Sequence, residues 1–202
     1  MSSPSRLSLA VLLFDDFETL DVFGPVEVFG RLKEEYAIHF YSLSGGEIRN
    51  SHGVAMNTEP LAVLTGPHIF LIPGGYGTRP AVFNAALIDE IRRVSVQSEY
   101  VFTVCTGTSL LARTGLLDGR KATSNKRAFD WVVTNGPAVQ WIRQARWTVD
   151  GKYYTSSGVS AGIDMCLGFL SDRRGQAFAR EVAWQIEFDW TEDKDTDHFY
   201  VK

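Results

Sequence analysis

Cys105 ends a run of β-branched and aromatic residues in YVFTVCTGTSLL (Tyr100 to Leu111), where Thr106, Gly107, Thr108 and Ser109 turn the chain into a helical pattern. A thiol so placed sits at the carboxyl end of a strand and the positive end of a helix. There, unpaired N–H groups and the dipole favour thiolate over thiol. Free cysteine is also among the most buried residue types, so Cys105 taken alone fits a core position equally well. Two other loops carry the groups such a thiol would use. DDFETLD brings the acids Glu18 and Asp21, and GGYGTRP brings Gly74 and Gly75, whose N–H groups can point unobstructed into a crevice. An acid, an amide donor and a thiol make a nucleophilic site without metal or histidine. The plainer roles are helix caps for the two acids and a tight turn for the glycines.

The elements that must position these loops follow from periodicity. Leu7 to Phe14 is almost continuously apolar, as in a parallel strand buried on both faces, and Phe23, Val26, Val28 and Phe29 form a helical face after it. Ala37 to Leu43 is a second strand, and Ile48 to Asn57 a small hairpin in which His52 is a turn residue. HIFLIP (His68 to Pro73) is a buried strand, and Val82 to Val94 an amphipathic helix returning to the Cys105 strand. Beyond it come a short strand to Ser124, a helix over 125–133, and two strands about Asp150-Gly151, a strong hairpin signal. A helix over 162–170 and another over 176–188 precede the polar tail TEDKDTDHFYVK, which has few apolar anchors and is expected to fray. The alternation is that of an α/β fold in one domain spanning 1–202, with 191–202 as its tail.

Composition narrows the function. The chain has 24 acidic and 20 basic residues, a net charge of −4, and no basic stripe to suit a phosphate backbone, so nucleic acid is not an expected partner. No apolar run approaches the length that crosses a bilayer, and the apolar start is too short and too soon followed by Asp15 and Asp16 to read as a signal segment. Two cysteines imply no disulfide framework, and a working thiol points to the cytoplasm. His39, His68 and His198 show no ligand spacing, so neither a metal nor another cofactor is expected.

Several segments, in order, resemble the ThiJ/PfpI superfamily: VLLFDDFETLDVFGPVEVF, IPGGYG, VCTGTSLLARTGLLDGRKAT, SSGVSAGIDMCL and QIEFDW. The resemblance implies a flavodoxin-like three-layer sandwich, a mainly parallel sheet with helices on both faces, paired as a homodimer. TLD, GPVEVF, IPGG, VCTG and GVSAGID look most like its isonitrile-hydrating members. It carries Cys105 over as nucleophile and Asp21 as the acid/base beside thiol and water. Thr106 carries over as the hydroxyl that binds that water, and the N–H groups of Thr106 and Gly75, with Gly74, as an oxyanion-type pocket. Glu18 and Tyr76 are accessory candidates. The implied reaction is hydration of an isonitrile to an N-substituted formamide through a thioimidate on Cys105, a hydro-lyase activity needing no cofactor.

The sequence departs from the relatives at ATSNKRAFDWV, where Asn125 stands in place of histidine. Asparagine takes no proton at neutral pH but orients ligands by hydrogen bonds, so a His-assisted amidase or protease is disfavoured. Asn125 also reads as the N-cap of the helix after it. Three competing functions remain: a glyoxalase or deglycase acting on 2-oxoaldehydes through the same thiol, a cysteine redox sensor, and the ligand-sensing domain of an AraC-type regulator. The last is disfavoured because such chains continue into a DNA-binding region and this one ends at Lys202. Cys166 reads as core, Asp164 as a helix cap, and Tyr76, Trp131 and Trp141 as pocket-lining or packing aromatics.

Overall fold

The computed structural model describes residues 6–200. The segment ahead of Arg6 and the last two residues of the tail lie outside the described residues. In chain order the elements are β1 (Leu7–Leu12), α1 (Thr19–Gly30), β2 (Tyr36–Ser42), β3 (Gly46–Arg49), β4 (Ala55–Pro60), β5 (Ile69–Ile72), α2 (Thr78–Ala81), α3 (Ala85–Gln97), β6 (Tyr100–Thr103) and α4 (Gly107–Arg113). There follow β7 (Lys121–Ala122), α5 (Phe129–Val133), β8 (Gln140–Trp141), β9 (Trp147–Asp150), β10 (Tyr153–Ser156), α6 (Ala161–Arg174) and α7 (Gln176–Gln185).

Eight strands form one sheet in the order β3-β4-β2-β1-β5-β6-β10-β9, while β7 and β8 pair separately. The inner strands β2, β1, β5, β6 and β10 run parallel, and the antiparallel partners β3 and β9 close the two edges. Leu9, Val11, Leu12, Ile69–Ile72, Val101 and Phe102 are wholly buried, as a sheet covered on both faces requires. Helices α1, α6 and α7 pack together, as do α2, α3 and α5 about α4, giving a flavodoxin-like three-layer sandwich. Phe102, Tyr154 and Phe169 fix α6 to the sheet with ring centroids 5.1–5.4 Å apart. Val11 pairs with Leu71 and Leu71 with Phe102, so the carboxyl ends of β1, β5 and β6 open at one level.

Among the boundaries that differ from the sequence reading, three have a local cause. Helix α3 begins after Asn84, whose Oδ1 accepts the Leu87 N–H at 3.2 Å, and the preceding turn is the separate α2. Helix α5 begins at Phe129 because Asn125 accepts the Ala128 N–H at 2.9 Å and spends a turn ahead of the helix. In the β9–β10 hairpin Asp150 pairs with Tyr153, so Gly151 and Lys152 make the turn, with Gly151 at φ 61°.

The tail is docked rather than frayed up to the last described residues. Lys194 O accepts the N–H groups of Arg146 and Trp147 at 2.8 and 3.2 Å, and Gln144 O accepts the Asp197 N–H at 2.7 Å. Asp197 is 2% exposed and lies 3.6 Å from the Arg146 guanidinium. Backbone pairing along the start of the edge strand and one buried charge pair supply the anchoring that a count of apolar residues misses.

Candidate active site

Cys105 lies between β6 and α4 with φ 58°, the left-handed region that a non-glycine residue adopts only when its surroundings impose it. The surroundings do so at both backbone groups. Its N–H donates to Ser157 O at 3.1 Å, and its carbonyl accepts the Ser124 hydroxyl at 2.6 Å. Gly107 permits the tight exit: a Cβ there would lie 2.4 Å from Ile72 O. The sulfur faces the N–H groups of Thr106 and Val159 and the side-chain amide of Asn125.

Asp21 comes from the first turn of α1, yet it caps nothing there. It is wholly buried, its Oδ2 accepts the Gly74 N–H at 2.8 Å, and its Oδ1 has no hydrogen-bond partner among the described residues. The carboxyl lies against the Cys105 sulfur. Burial raises the Asp21 pKa well above the ordinary carboxylate range, the Gly74 N–H opposes this, and the nearby charge of Glu18 adds to it. Burial, with Asp21 alongside, likewise pushes the Cys105 thiol up, against the pull of Thr106, Val159 and Asn125. Burial therefore works against the thiolate expected from the helix start. At 6% exposure, loss of hydration outweighs the dipole of a seven-residue helix.

The two glycines are required for fit. A Cβ on Gly74 would lie 2.6 Å from Thr106 N and 2.8 Å from Asp21 Oδ2. Gly75, at φ 125°, would meet Asp16 O at 2.3 Å. Their N–H groups are not open donors, however. Gly74 serves Asp21, and Gly75 donates to Thr106 Oγ1 at 3.1 Å. Thr106 Oγ1 also lies 3.1 Å from Thr78 Oγ1 and 3.3 Å from Gly75 O, so the hydroxyl braces the glycine loop. The backbone donors that face the sulfur come from Thr106 and Val159 instead. Sequence reading missed Val159, a β-branched residue at φ 49° in a position that ordinarily selects glycine, so its type gave no signal.

A cavity of about 300 Å³ opens over the thiol. Glu18 and Tyr76 line it: Glu18 is half-buried without a side-chain cap bond, and Tyr76, rather than packing in the core, is 79% exposed at the mouth. Asn125 is not the N-cap of α5: its Oδ1 accepts the Ala128 N–H a turn ahead of the helix, while its side-chain amide faces the Cys105 sulfur. Gly158 makes room for it, since a Cβ there would fall 2.2 Å from Nδ2. Arg79, Arg127 and Ala128 complete the lining and were not singled out from sequence. Trp131 stacks under Arg79 at 4.0 Å, whereas Trp141 packs on Phe129 and donates to Gly136 O outside the cavity.

The remaining candidates are structural. Cys166 is wholly buried in α6. Asp164 does not cap: it accepts the Arg146 guanidinium at 2.6 and 2.9 Å and the Thr191 N–H at 2.9 Å. His52 contacts Thr19 Oγ1 and His68 contacts Glu99, each at 2.7 Å. Among the described residues no cluster of three metal-ligating side chains occurs, and no helix is long and apolar enough to cross a membrane.

Known proteins resemble this chain to different extents. The chain is 31% identical over 186 residues to an isonitrile hydratase of Pseudomonas putida, covering 90% of this chain and 78% of that one. It is 29% identical over 164 residues to the HTH-type transcriptional regulator CdhR of Pseudomonas aeruginosa, covering 80% of this chain but only 48% of the regulator. Identity to a deglycase of Pyrococcus horikoshii is 27% over 154 residues, 74% of this chain and 89% of that one. Among solved structures, a ThiJ/PfpI family protein from Pseudomonas syringae superposes with a TM-score of 0.82 at 27% identity, over 92% of this chain and 76% of that one. Relatives thus include enzymes acting on small molecules as well as a transcriptional regulator. With residues 7–172 matching the DJ-1/PfpI family and a relative above 30% identity spanning most of both chains, this protein belongs to the DJ-1/PfpI family.

Proposed function

We propose that the protein hydrates isonitriles to N-substituted formamides, with Cys105 as nucleophile and Asp21 as proton relay. The observation that carries this reading is the wholly buried Asp21 carboxyl, one oxygen unpartnered, lying against the Cys105 sulfur, with burial raising the pKa of both groups. An isonitrile carbon holds a lone pair and takes up a proton and a nucleophile at the same atom. A carboxyl and a thiol whose protons burial helps to retain suit such an addition. The carboxyl passes a proton to the carbon and takes the thiol proton while the sulfur pair forms the C–S bond, giving a thioimidate. Water then adds to that carbon as Asp21 takes its proton and delivers one to nitrogen. The C–S bond breaks, the sulfur regains a proton from the new hydroxyl, and the formamide leaves. One water is consumed and no redox change occurs.

The alternatives fit less well. A glyoxalase or deglycase has the support of the archaeal relative, but the position next to the thiol that would hold its base is occupied by Asn125, which does not accept a proton at neutral pH. A peroxide sensor needs an accessible thiolate, and Cys105 is 6% exposed with burial raising its pKa. The protein acts as a homodimer in the cytoplasm on this reading, without metal or organic cofactor. The test is formamide production from cyclohexyl isocyanide by wild type, Cys105→Ala and Asp21→Asn. Turnover by wild type alone is expected; turnover retained in Cys105→Ala would exclude the mechanism.

A further inference from the structure

The cavity over Cys105 carries two arginines, and neither has a carboxylate partner among the described residues. Arg127 is exposed at the rim, but Arg79 is half-buried and held in place. Its guanidinium stacks 4.0 Å over the Trp131 ring and 5.7 Å from that of Tyr76. One nitrogen, Nη1, donates to Thr78 Oγ1 at 3.0 Å and reaches toward Gly75 O at 3.5 Å. Thr78 belongs to the network that braces Gly75 and Thr106, so Arg79 is fixed relative to the nucleophile. Nε and Nη2 have no acceptor among the described residues. A flat fork of donors, immobilised by an aromatic face and left without an anion, is the arrangement that receives a carboxylate bidentately. The one acidic group that lines the cavity, Glu18, makes no ion pair with either arginine.

We propose that Arg79, aided by Arg127, makes this a pocket for small electrophiles bearing a carboxylate. Resting on the hydration reading above, the preferred substrate is then the isonitrile of a carboxylic acid, with a hydrocarbon isonitrile such as cyclohexyl isocyanide turned over at lower kcat/KM. The carboxylate docks on Arg79, and the isonitrile carbon at the other end of the molecule is presented to Cys105. Tyr76 and Trp131 wall the arginine without competing for its donors. Arg79 is a specificity residue that touches the substrate away from the reacting carbon.

Two matched pairs of reagents separate this inference from the hydration reading. Iodoacetate and iodoacetamide alkylate a thiol by the same displacement, in which sulfur forms the C–S bond, iodide leaves with its electron pair and the thiol proton goes to solvent. They differ in charge. The ratio of their rates at Cys105 cancels changes in thiol reactivity common to both, and Cys105→Ala supplies the blank. Relative to free cysteine, the wild-type ratio should favour iodoacetate by about tenfold, the worth of a charge-assisted hydrogen bond or two, and Arg79→Gln should lose most of that. A wild-type ratio no greater than that of free cysteine, or one unchanged in Arg79→Gln, would overturn the proposal. So would a thiol reached by neither reagent, because a pocket closed to a two-carbon acid cannot select one. Isocyanoacetate and its ethyl ester then report on substrate, with kcat/KM favouring the acid in wild type and less so in Arg79→Gln. Alkylation selectivity without turnover of either isonitrile would sustain the anion pocket and remove the hydration reading.

Discussion

Asp21 and Asp164 are the same residue, both wholly buried and both in the first turn of a long helix, yet the protein treats them oppositely. Asp164 has an arginine on one oxygen at 2.6 and 2.9 Å and a backbone N–H on the other, with the tail residue Asp197 on the far side of that arginine. Burial, with Asp197 nearby, leaves its carboxyl above the ordinary range, but Arg146 and Thr191 hold that rise down, where Asp21 has only the Gly74 N–H and the Cys105 thiol to oppose it. Asp21 has one backbone N–H, an acidic neighbour in Glu18, a thiol, and a bare oxygen. A buried acid given a counter-charge is a structural pin. One denied it costs stability and, on the proposed mechanism, is free to exchange a proton. The two are linked through the chain, since Arg146 also reaches Ser160 Oγ and its carbonyl holds Ser157, in the loop that brings Val159 to the sulfur.

The contrast breaks most visibly in activity. Asp21→Asn should lower kcat by about 10²–10⁴, the range for losing a positioned acid/base, with the fold retained by circular dichroism. Next in size, Asp164→Asn should destabilise the protein by about 3 kcal/mol in urea titration, because Arg146 would lose its two short charge-assisted bonds and keep only the longer 3.6 Å contact with Asp197. Asp21→Asn should leave stability unchanged or raise it, and an equal loss in both variants would erase the distinction drawn here. The pH dependence sharpens it. A carboxyl whose folded pKa is raised above its unfolded value of 3.8 stabilises fully below that value and progressively less as pH climbs through the folded one. Wild type should therefore lose stability relative to Asp21→Asn as pH rises above about 4, and a difference that grows in the opposite sense would mean that Asp21 rests as an anion. The smallest effect belongs to Asp197→Asn. Arg146 keeps Asp164 in that variant, so a loss of about 1 kcal/mol in urea titration is expected.

Much of this site is legible in sequence because its parts follow continuous strands. Apolar runs such as Leu7 to Phe14, HIFLIP and YVFTV read as buried parallel strands, and each ends in a chemically loaded loop. Cys105, Asp21 and Gly74 come together for that reason. What the sequence hides is the use of each group. Nothing in TG or GG tells that the Thr106 hydroxyl and the Gly75 N–H satisfy each other, nor that desolvation would overrule the helix start at the sulfur. Val159 escapes notice because strain at a β-branched residue is imposed from outside. Arg79 escapes because only the fold shows which surface cations lack a partner. The tail misleads most plainly: its polar residues are its anchors, and Asp197 is buried by an arginine more than fifty positions earlier.

Acid-quenched mass measurement of the Cys105 peptide during turnover of an isonitrile tests the central claim most directly. The account predicts a peptide heavier by the mass of one intact isonitrile, formed before formamide and decaying as formamide appears. Formamide released at the full rate while Cys105 stays unmodified would contradict it.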